Sequence, residues 1–133
     1  MTSALLVAGS IFVGLAALIH LYIFYLESIA WSKPKTWKTF GVASQADADT
    51  TRPMAYNQGY YNAFLAGGII VGIILLFTPG TQQGGFALAV FGALSMVLAA
   101  TVLITSNRRL ARAAAIQGVL PLIGIILLLL ALV

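Results

Sequence analysis

The chain has 133 residues, of which 61% are hydrophobic and only 8% are charged, and its formal net charge is +4. Soluble domains carry about 25% charged residues, so this composition excludes an ordinary water-soluble globule and predicts a single domain that lies in a lipid bilayer. The sequence contains no cysteine, which excludes disulfides, thiolate metal sites and cysteine nucleophiles.

Four continuous hydrophobic segments follow one another along the chain. Each is about 20 residues long, which is enough to cross a hydrocarbon core of about 30 Å as an α-helix. The prediction is an all-α polytopic membrane protein, a four-transmembrane-helix bundle that forms one membrane domain over residues 1–133. The helices are expected at approximately residues 4–27, 53–78, 85–106 and 112–133.

The first segment is predicted to be a span rather than a signal peptide, because no basic residues precede it and its apolar run is too long. It carries His20 and Glu27, which lie about two turns apart on one helical face, separated by about 10.5 Å along the axis. Trp31 continues this face if the helix extends. His20 has two open interpretations, a structural hydrogen bond or proton handling. Glu27 is either an ion-pair partner of Lys33 or Arg112 or part of a site.

Residues 31–53 are predicted to form a polar loop. The stretch from Ser44 to Asp47 resembles a helix-capping pattern, so a short interfacial helix is expected within this loop. Pro53 suits the first turn of the second membrane helix, because a proline there lacks only an N–H that would have no helical partner.

The second segment opens with a run of amide and tyrosine side chains, Asn57-Gln58-Gly59-Tyr60-Tyr61-Asn62. Positions 57 and 61 are i,i+4 neighbours, as are positions 58 and 62, so two adjacent stripes are expected to form one broad polar face. These amides, with Gln117 in the fourth segment, either bond between helices or line a ligand site. Gly67, Gly68 and Gly72 are expected to allow close helix packing.

All seven basic residues lie in the first and third loops. They are Lys33, Lys35, Lys38, Arg52, Arg108, Arg109 and Arg112. In a four-span protein these loops share one side of the membrane, and the positive-inside rule places that side in the cytoplasm. The predicted location is the plasma (inner) membrane, with loops 1 and 3 cytoplasmic and both termini non-cytoplasmic. Nucleic acid is not an expected partner, because no basic and aromatic module is present.

Most polar side chains are predicted to meet at the cytoplasmic end, where the first and third helices end and the second and fourth begin. An ionisable group at bilayer depth costs about 2.5–3.5 kcal/mol, so such groups are expected to face the interior and find partners. The candidate ligand-binding residues are His20, Glu27, Trp31, Asn57, Gln58, Tyr61, Asn62 and Gln117. One His and one Glu two turns apart do not form a metal shell, so no metal and no cofactor are predicted.

The string from Asn57 to Gly68, NQGYYNAFLAGG, is similar to a family signature, N-Q-G-hydrophobic-Y-N-G-F-L-A-A-G. The signature belongs to a bacterial family of small integral membrane proteins, the domain of unknown function 1304. Ala63 stands where that pattern has a glycine.

Two further segments resemble the same family, so the resemblance covers nearly the whole chain. One is the spacing of His20, Glu27 and Trp31, and the other is Gln117 followed by a glycine before Pro121. One extra residue precedes Pro121. The resemblance implies four helices, a bacterial plasma membrane and the recurrence of the candidate residues, but no established activity.

Three functions fit these features. The first is binding or moving a small amphiphilic ligand in a polar pocket in the cytoplasmic half, with Trp31, Tyr60 and Phe64 among the residues that hold its apolar part. Four helices are few for a transport path, so a homodimer is expected, with membrane lipid as a further partner. The alternatives are an accessory or structural subunit of a membrane complex, and an isomerase-like enzyme that uses His20 and Glu27 as acid and base.

Overall fold

The computed structural model describes residues 3–133, which are mostly helical and contain no strand over that range. In chain order the helices are α1 (Ser3–Phe24), α2 (Pro34–Thr39), α3 (Gln45–Leu76), α4 (Gln82–Ser106) and α5 (Ala111–Leu130). A π-helical turn at Tyr25–Ile29 extends α1, and a 3-10 turn at Arg108–Leu110 leads into α5.

The four long helices form a bundle in which each packs against the next. Contacts join α1 to α3, α3 to α4, α4 to α5 and α5 back to α1, whereas the diagonal pair α1 and α4 barely touches. All four are long and apolar enough to cross a membrane. The prediction of an all-α four-helix membrane bundle is therefore confirmed. We call the end that carries loop 1 and the α4–α5 hairpin the loop end.

Small residues bring α3 and α4 into backbone contact. A Cβ atom built on Gly72 would lie 2.7 Å from the backbone nitrogen of Ala89, and one built on Gly85 would lie 2.7 Å from the Gly72 carbonyl oxygen. Only a glycine fits at such distances. The predicted packing role is correct for Gly72. It is wrong for Gly67 and Gly68, which have nothing within 4 Å of a built Cβ, because they fall between the buried positions of α3.

The start of α3 differs from the prediction. The helix begins at Gln45, and the Ser44 side chain caps it by accepting from the Asp47 N–H at 3.1 Å. Pro53 therefore lies inside the helix rather than in its first turn. Its missing N–H leaves the carbonyl of Asp49 without a helical partner. Both residues are exposed, so this carbonyl can bond to water or lipid headgroups instead.

The expected short helix of the loop also lies elsewhere. The capping pattern at Ser44 starts the long helix α3, and the short helix of the loop is α2, which begins at Pro34. The other helix bounds lie within about one turn of the predicted ones.

Loop 1 is anchored to the first turns of α3 by two tryptophans. Trp31 and Trp37 are buried together with Ala48. The indole N–H of Trp31 donates to the Ala48 carbonyl oxygen at 2.8 Å, and that of Trp37 donates to Gln45 Oε1 at 3.3 Å. Loop 1 thus packs on the exposed N-terminal part of α3, and Trp31 belongs to this small second core.

Candidate functional site

A π turn carries the one acidic side chain of the first span. The Ala30 N–H donates to the Tyr25 carbonyl oxygen at 2.9 Å, five residues back instead of four. Such a turn shifts the phase of the helix that follows, and π turns are frequent at functional sites. Glu27 lies within this turn and is buried, with 8% of its surface exposed.

Glu27 and Asn62 form a direct hydrogen bond between α1 and α3. Asn62 Nδ2 donates to Glu27 Oε2 at 2.8 Å and also to the Gln58 carbonyl oxygen at 3.2 Å. Asn62 is buried as deeply as its partner, at 8% exposed. The bond fixes the carboxyl group against α3, and its second oxygen accepts no hydrogen bond from residues 3–133.

The Glu27–Asn62 pair keeps two unused acceptors at its accessible edge. Within residues 3–133, the hydrogen bonds of the pair occupy only Glu27 Oε2 and Asn62 Nδ2. Every fully buried polar side-chain atom in that range has a partner. Glu27 Oε1 and Asn62 Oδ1 have none, so neither atom is fully shielded. Carboxylate and amide oxygens there can accept hydrogen bonds from another molecule.

Gly59 allows the two helices to meet at this point. A Cβ atom built on Gly59 would collide with Ser28 Oγ and would lie 3.1 Å from Glu27 Cβ. Ser28 Oγ donates to the Tyr56 carbonyl oxygen at 2.9 Å, which makes a second bond between the helices. We call these five residues, Glu27, Ser28, Tyr56, Gly59 and Asn62, the α1–α3 seam.

A row of aromatic side chains runs along α3 next to Gly59 of the seam, and α1 adds Phe24 to it. The ring of Tyr60 lies 5.1 Å from that of Phe24 in an edge-on contact, 5.0 Å from Tyr56 and 6.2 Å from Phe64. Tyr56, Tyr60 and Phe64 are 52%, 39% and 68% exposed. We call Phe24, Tyr56, Tyr60 and Phe64 the aromatic rim. The contribution of Phe24 was not predicted, although its position three residues before Glu27 places it on a neighbouring part of the same helix surface.

His20 is buried but does not join the Glu27–Asn62 pair. Only 1% of its surface is exposed, and its Nδ1 lies 2.9 Å from the Ala16 carbonyl oxygen. A carbonyl only accepts, so Nδ1 carries the hydrogen. The hydrogen bond corresponds to the structural interpretation of His20, and it ties the ring to its own helix.

Most other predicted site residues lie apart from the seam, although the Gln58 carbonyl oxygen accepts from Asn62 Nδ2 at 3.2 Å. Trp31 is in the core of loop 1, and Gln117 is half-buried on α5. Asn57, Gln58 and Tyr61 are exposed on α3. The buried stripe of α3 runs through positions 55, 59, 62 and 66, which turns positions 57, 58 and 61 outward. Of the eight candidates, only Glu27 and Asn62 are joined by a hydrogen bond between their side chains.

Two surface grooves lie away from the seam. One, of about 370 Å³, is lined by Ile104, Thr105, Arg108 and Ala111. The other, of about 590 Å³, is lined by Leu75, Gly80, Thr81, Gln82, Gln83 and Gly84. Over the described residues, no three His, Asp or Glu side chains gather in a way that would hold a metal ion.

A family described as "Protein of unknown function (DUF1304)" matches residues 14–129. No curated protein and no solved structure matches the chain. The family match runs from the first half of α1 almost to the end of α5 and includes the whole α1–α3 seam. The resemblance predicted from the sequence is confirmed, and the chain belongs to the DUF1304 family of proteins of unknown function.

Proposed function

We propose that this protein binds a small amphiphile at the α1–α3 seam. The observation that supports it is the buried Glu27–Asn62 hydrogen bond, which leaves one acceptor oxygen on each residue at the accessible edge. A polar head that donates hydrogen bonds, such as a hydroxyl or an ammonium group, complements these acceptors.

The aromatic rim favours an ammonium head with an apolar tail. Tyr60, which follows Gly59 of the seam, and Phe64, whose ring lies 6.2 Å from that of Tyr60, expose large parts of their rings. Aromatic faces attract organic cations within about 6 Å, and they also cover apolar chains. A ligand with both parts would engage the acceptor oxygens and the rings together, whereas a fully apolar lipid would engage only the rings.

We also propose that the loop end faces the cytoplasm in a bacterial plasma membrane. The basic side chains lie in loop 1, in the first turns of α3 (Arg52) and in the α4–α5 hairpin, all toward the loop end. The positive-inside rule supports a cytoplasmic position for such an end. The seam would then take its ligand at the inner leaflet.

The seam is tested by comparing Asn62→Ala with Asn57→Ala. Both remove an amide from α3, but only Asn62 belongs to the seam. We expect Asn62→Ala to weaken binding of an alkylammonium amphiphile by about tenfold, because one acceptor and the bond that positions Glu27 are lost. Asn57→Ala should bind as the wild type does.

The measurement is native mass spectrometry of the purified protein titrated with dodecylammonium, together with identification of any amphiphile that co-purifies. Dodecanol and dodecane serve as probes of the head group. Equal binding of all three probes, or equal binding by the Asn62→Ala and Asn57→Ala variants, would contradict a polar site at the seam.

A second candidate function is that of a subunit in a larger membrane assembly. Asn57, Gln58 and Tyr61 face outward from α3. Polar side chains on the outside of a membrane helix gain hydrogen bonds when a neighbouring helix supplies partners. A partner protein or a second copy of this chain would provide them.

Photo-crosslinking distinguishes this role. A photoreactive amino acid at position 61 should give one discrete cross-linked product in membranes, whereas the same group at position 98 should not, since Leu98 is an exposed apolar residue of α4. A product of twice the chain mass would identify a homodimer. Equal, diffuse cross-linking from both positions would argue against the subunit role.

A further inference from the structure

The α4–α5 hairpin carries a dense group of basic side chains. Arg108, Arg109 and Arg112 fall within five consecutive residues, and all three are exposed. They lie at the loop end, where α4 ends and α5 begins. Three guanidinium groups so close together repel one another unless a counter-charge is near.

The acidic side chains of the chain lie elsewhere and have other partners. Only three are present. Each accepts a hydrogen bond from another residue, namely Glu27 from Asn62, Asp47 from Ser44 and Asp49 from Gln45. The counter-charge for the hairpin is therefore expected to come from outside the chain.

The hairpin holds a defined shape. Asn107 Oδ1 accepts from the Arg109 N–H at 3.0 Å, and the Asn107 carbonyl oxygen accepts from the Leu110 N–H at 3.0 Å. Arg108 lies in the 3-10 turn and Arg112 in the first turn of α5, about one helical turn further along. The two guanidinium groups can thus approach a single anion.

Arg108 also borders an apolar groove. It lines the cavity of about 370 Å³ together with Ile104, Thr105 and Ala111. The Thr105 hydroxyl donates to backbone carbonyls of α4, so the guanidinium supplies the polar chemistry of the groove. Further along α4, Leu98 is 57% exposed and lies two turns before Thr105, on the same face of the helix. The surface thus has positive charge at one end of an apolar strip.

We propose that the hairpin binds the phosphate of an anionic phospholipid, with an acyl chain lying along α4 over the groove and Leu98. The planar guanidinium fork matches phosphate oxygens in pairs, which a point charge does not. This site is separate from the proposed amphiphile site, because it lies on other helices and takes an anion rather than a hydrogen-bond donor.

The test uses the whole protein in detergent, titrated with phosphatidylglycerol and followed by native mass spectrometry. The variant is Arg108→Gln/Arg112→Gln, and the matched control is Lys33→Gln/Lys35→Gln, which removes the same charge from exposed positions of loop 1. We expect the hairpin variant to bind the lipid about tenfold more weakly and the control to bind it as the wild type does. A third variant, Arg108→Lys/Arg112→Lys, keeps the charge and should recover only part of the affinity.

Three results would overturn the proposal. Equal weakening in the hairpin variant and the loop 1 control would mean diffuse attraction to negative charge. Unchanged binding in the hairpin variant would place the lipid elsewhere. Displacement of the lipid by an equal concentration of inorganic phosphate would mean that the groove does not hold an acyl chain. The helical circular dichroism of each variant confirms that the exposed substitutions leave the fold intact.

Discussion

Gly85→Ala is expected to destabilise the bundle strongly, whereas Gly84→Ala is expected to leave it folded. A Cβ atom on Gly85 would lie 2.6 Å from the Leu75 carbonyl carbon and 2.7 Å from the Gly72 carbonyl oxygen. These are backbone atoms, so α3 and α4 would have to move apart along their contact. Overpacking commonly costs about 1–3 kcal/mol, and we expect this variant to reach or exceed the upper value.

The neighbouring residue provides the control. Gly84 belongs to the same helix and has nothing within 4 Å of a built Cβ. An alanine there should be neutral or stabilise the helix by about 0.5–1 kcal/mol. Thermal unfolding in detergent, followed by circular dichroism, gives both values. Similar unfolding midpoints for the two variants would disprove the tight α3–α4 contact.

Gly59→Ala is expected to open the α1–α3 seam. The new methyl group would meet Ser28 Oγ and would lie 3.1 Å from Glu27 Cβ. Separating the helices there would break the hydrogen bonds from Ser28 to α3 and from Asn62 to Glu27. We expect a loss of about 1–3 kcal/mol in stability and a parallel loss of amphiphile binding.

A double variant makes this prediction specific. Ser28→Ala/Gly59→Ala removes the atom in the tightest contact, so it should be more stable than Gly59→Ala alone, although Ser28→Ala by itself removes a hydrogen bond. Gly67→Ala on the same helix should have no such effect, because its surroundings are open. If Ser28→Ala adds to the damage of Gly59→Ala instead of relieving it, the close approach at Gly59 is not the cause. Double-mutant analysis of unfolding free energies separates these cases.

The spans were predictable because length and hydropathy determine them directly. A continuous apolar run of about 20 residues has few structural options other than a membrane helix. The structure accordingly contains four helices that satisfy this condition. Small polar or basic stretches interrupt the runs, and the loops lie at these points.

The start of α3 was not predictable from Pro53. Proline usually marks the first turn of a helix. A proline can remain inside a helix when its ring, and the carbonyl four residues earlier that loses its hydrogen bond, both face outward. Asp49 and Pro53 are both exposed, so the lost hydrogen bond is replaced outside the protein. The cap at Ser44, which the sequence did reveal, determines the true start.

Part of the candidate site was predictable and part was not. Glu27 and Asn62 were expected to face the interior because ionisable and amide groups are costly in lipid. Two adjacent polar stripes on α3 were equally consistent with an inward face, and the sequence pattern could not separate them. The stripe that contains Asn62 faces inward because Gly59 permits α1 to approach α3 closely on that side. The π turn also made the site hard to predict. It rotates the residues that follow it around the helix axis, and the hydropathy pattern does not reveal this rotation.

The tightly packed interior limits how a solute could travel past this protein. Ala17, Ala66, Ile69, Met96 and Leu128 fill the middle of the bundle, and each is fully shielded from solvent. A hydrophilic solute would need a continuous row of polar groups through the bundle. These apolar side chains fill that interior instead. Any solute that crossed the bilayer at this protein would therefore have to move along the outer surface of the bundle, in contact with lipid.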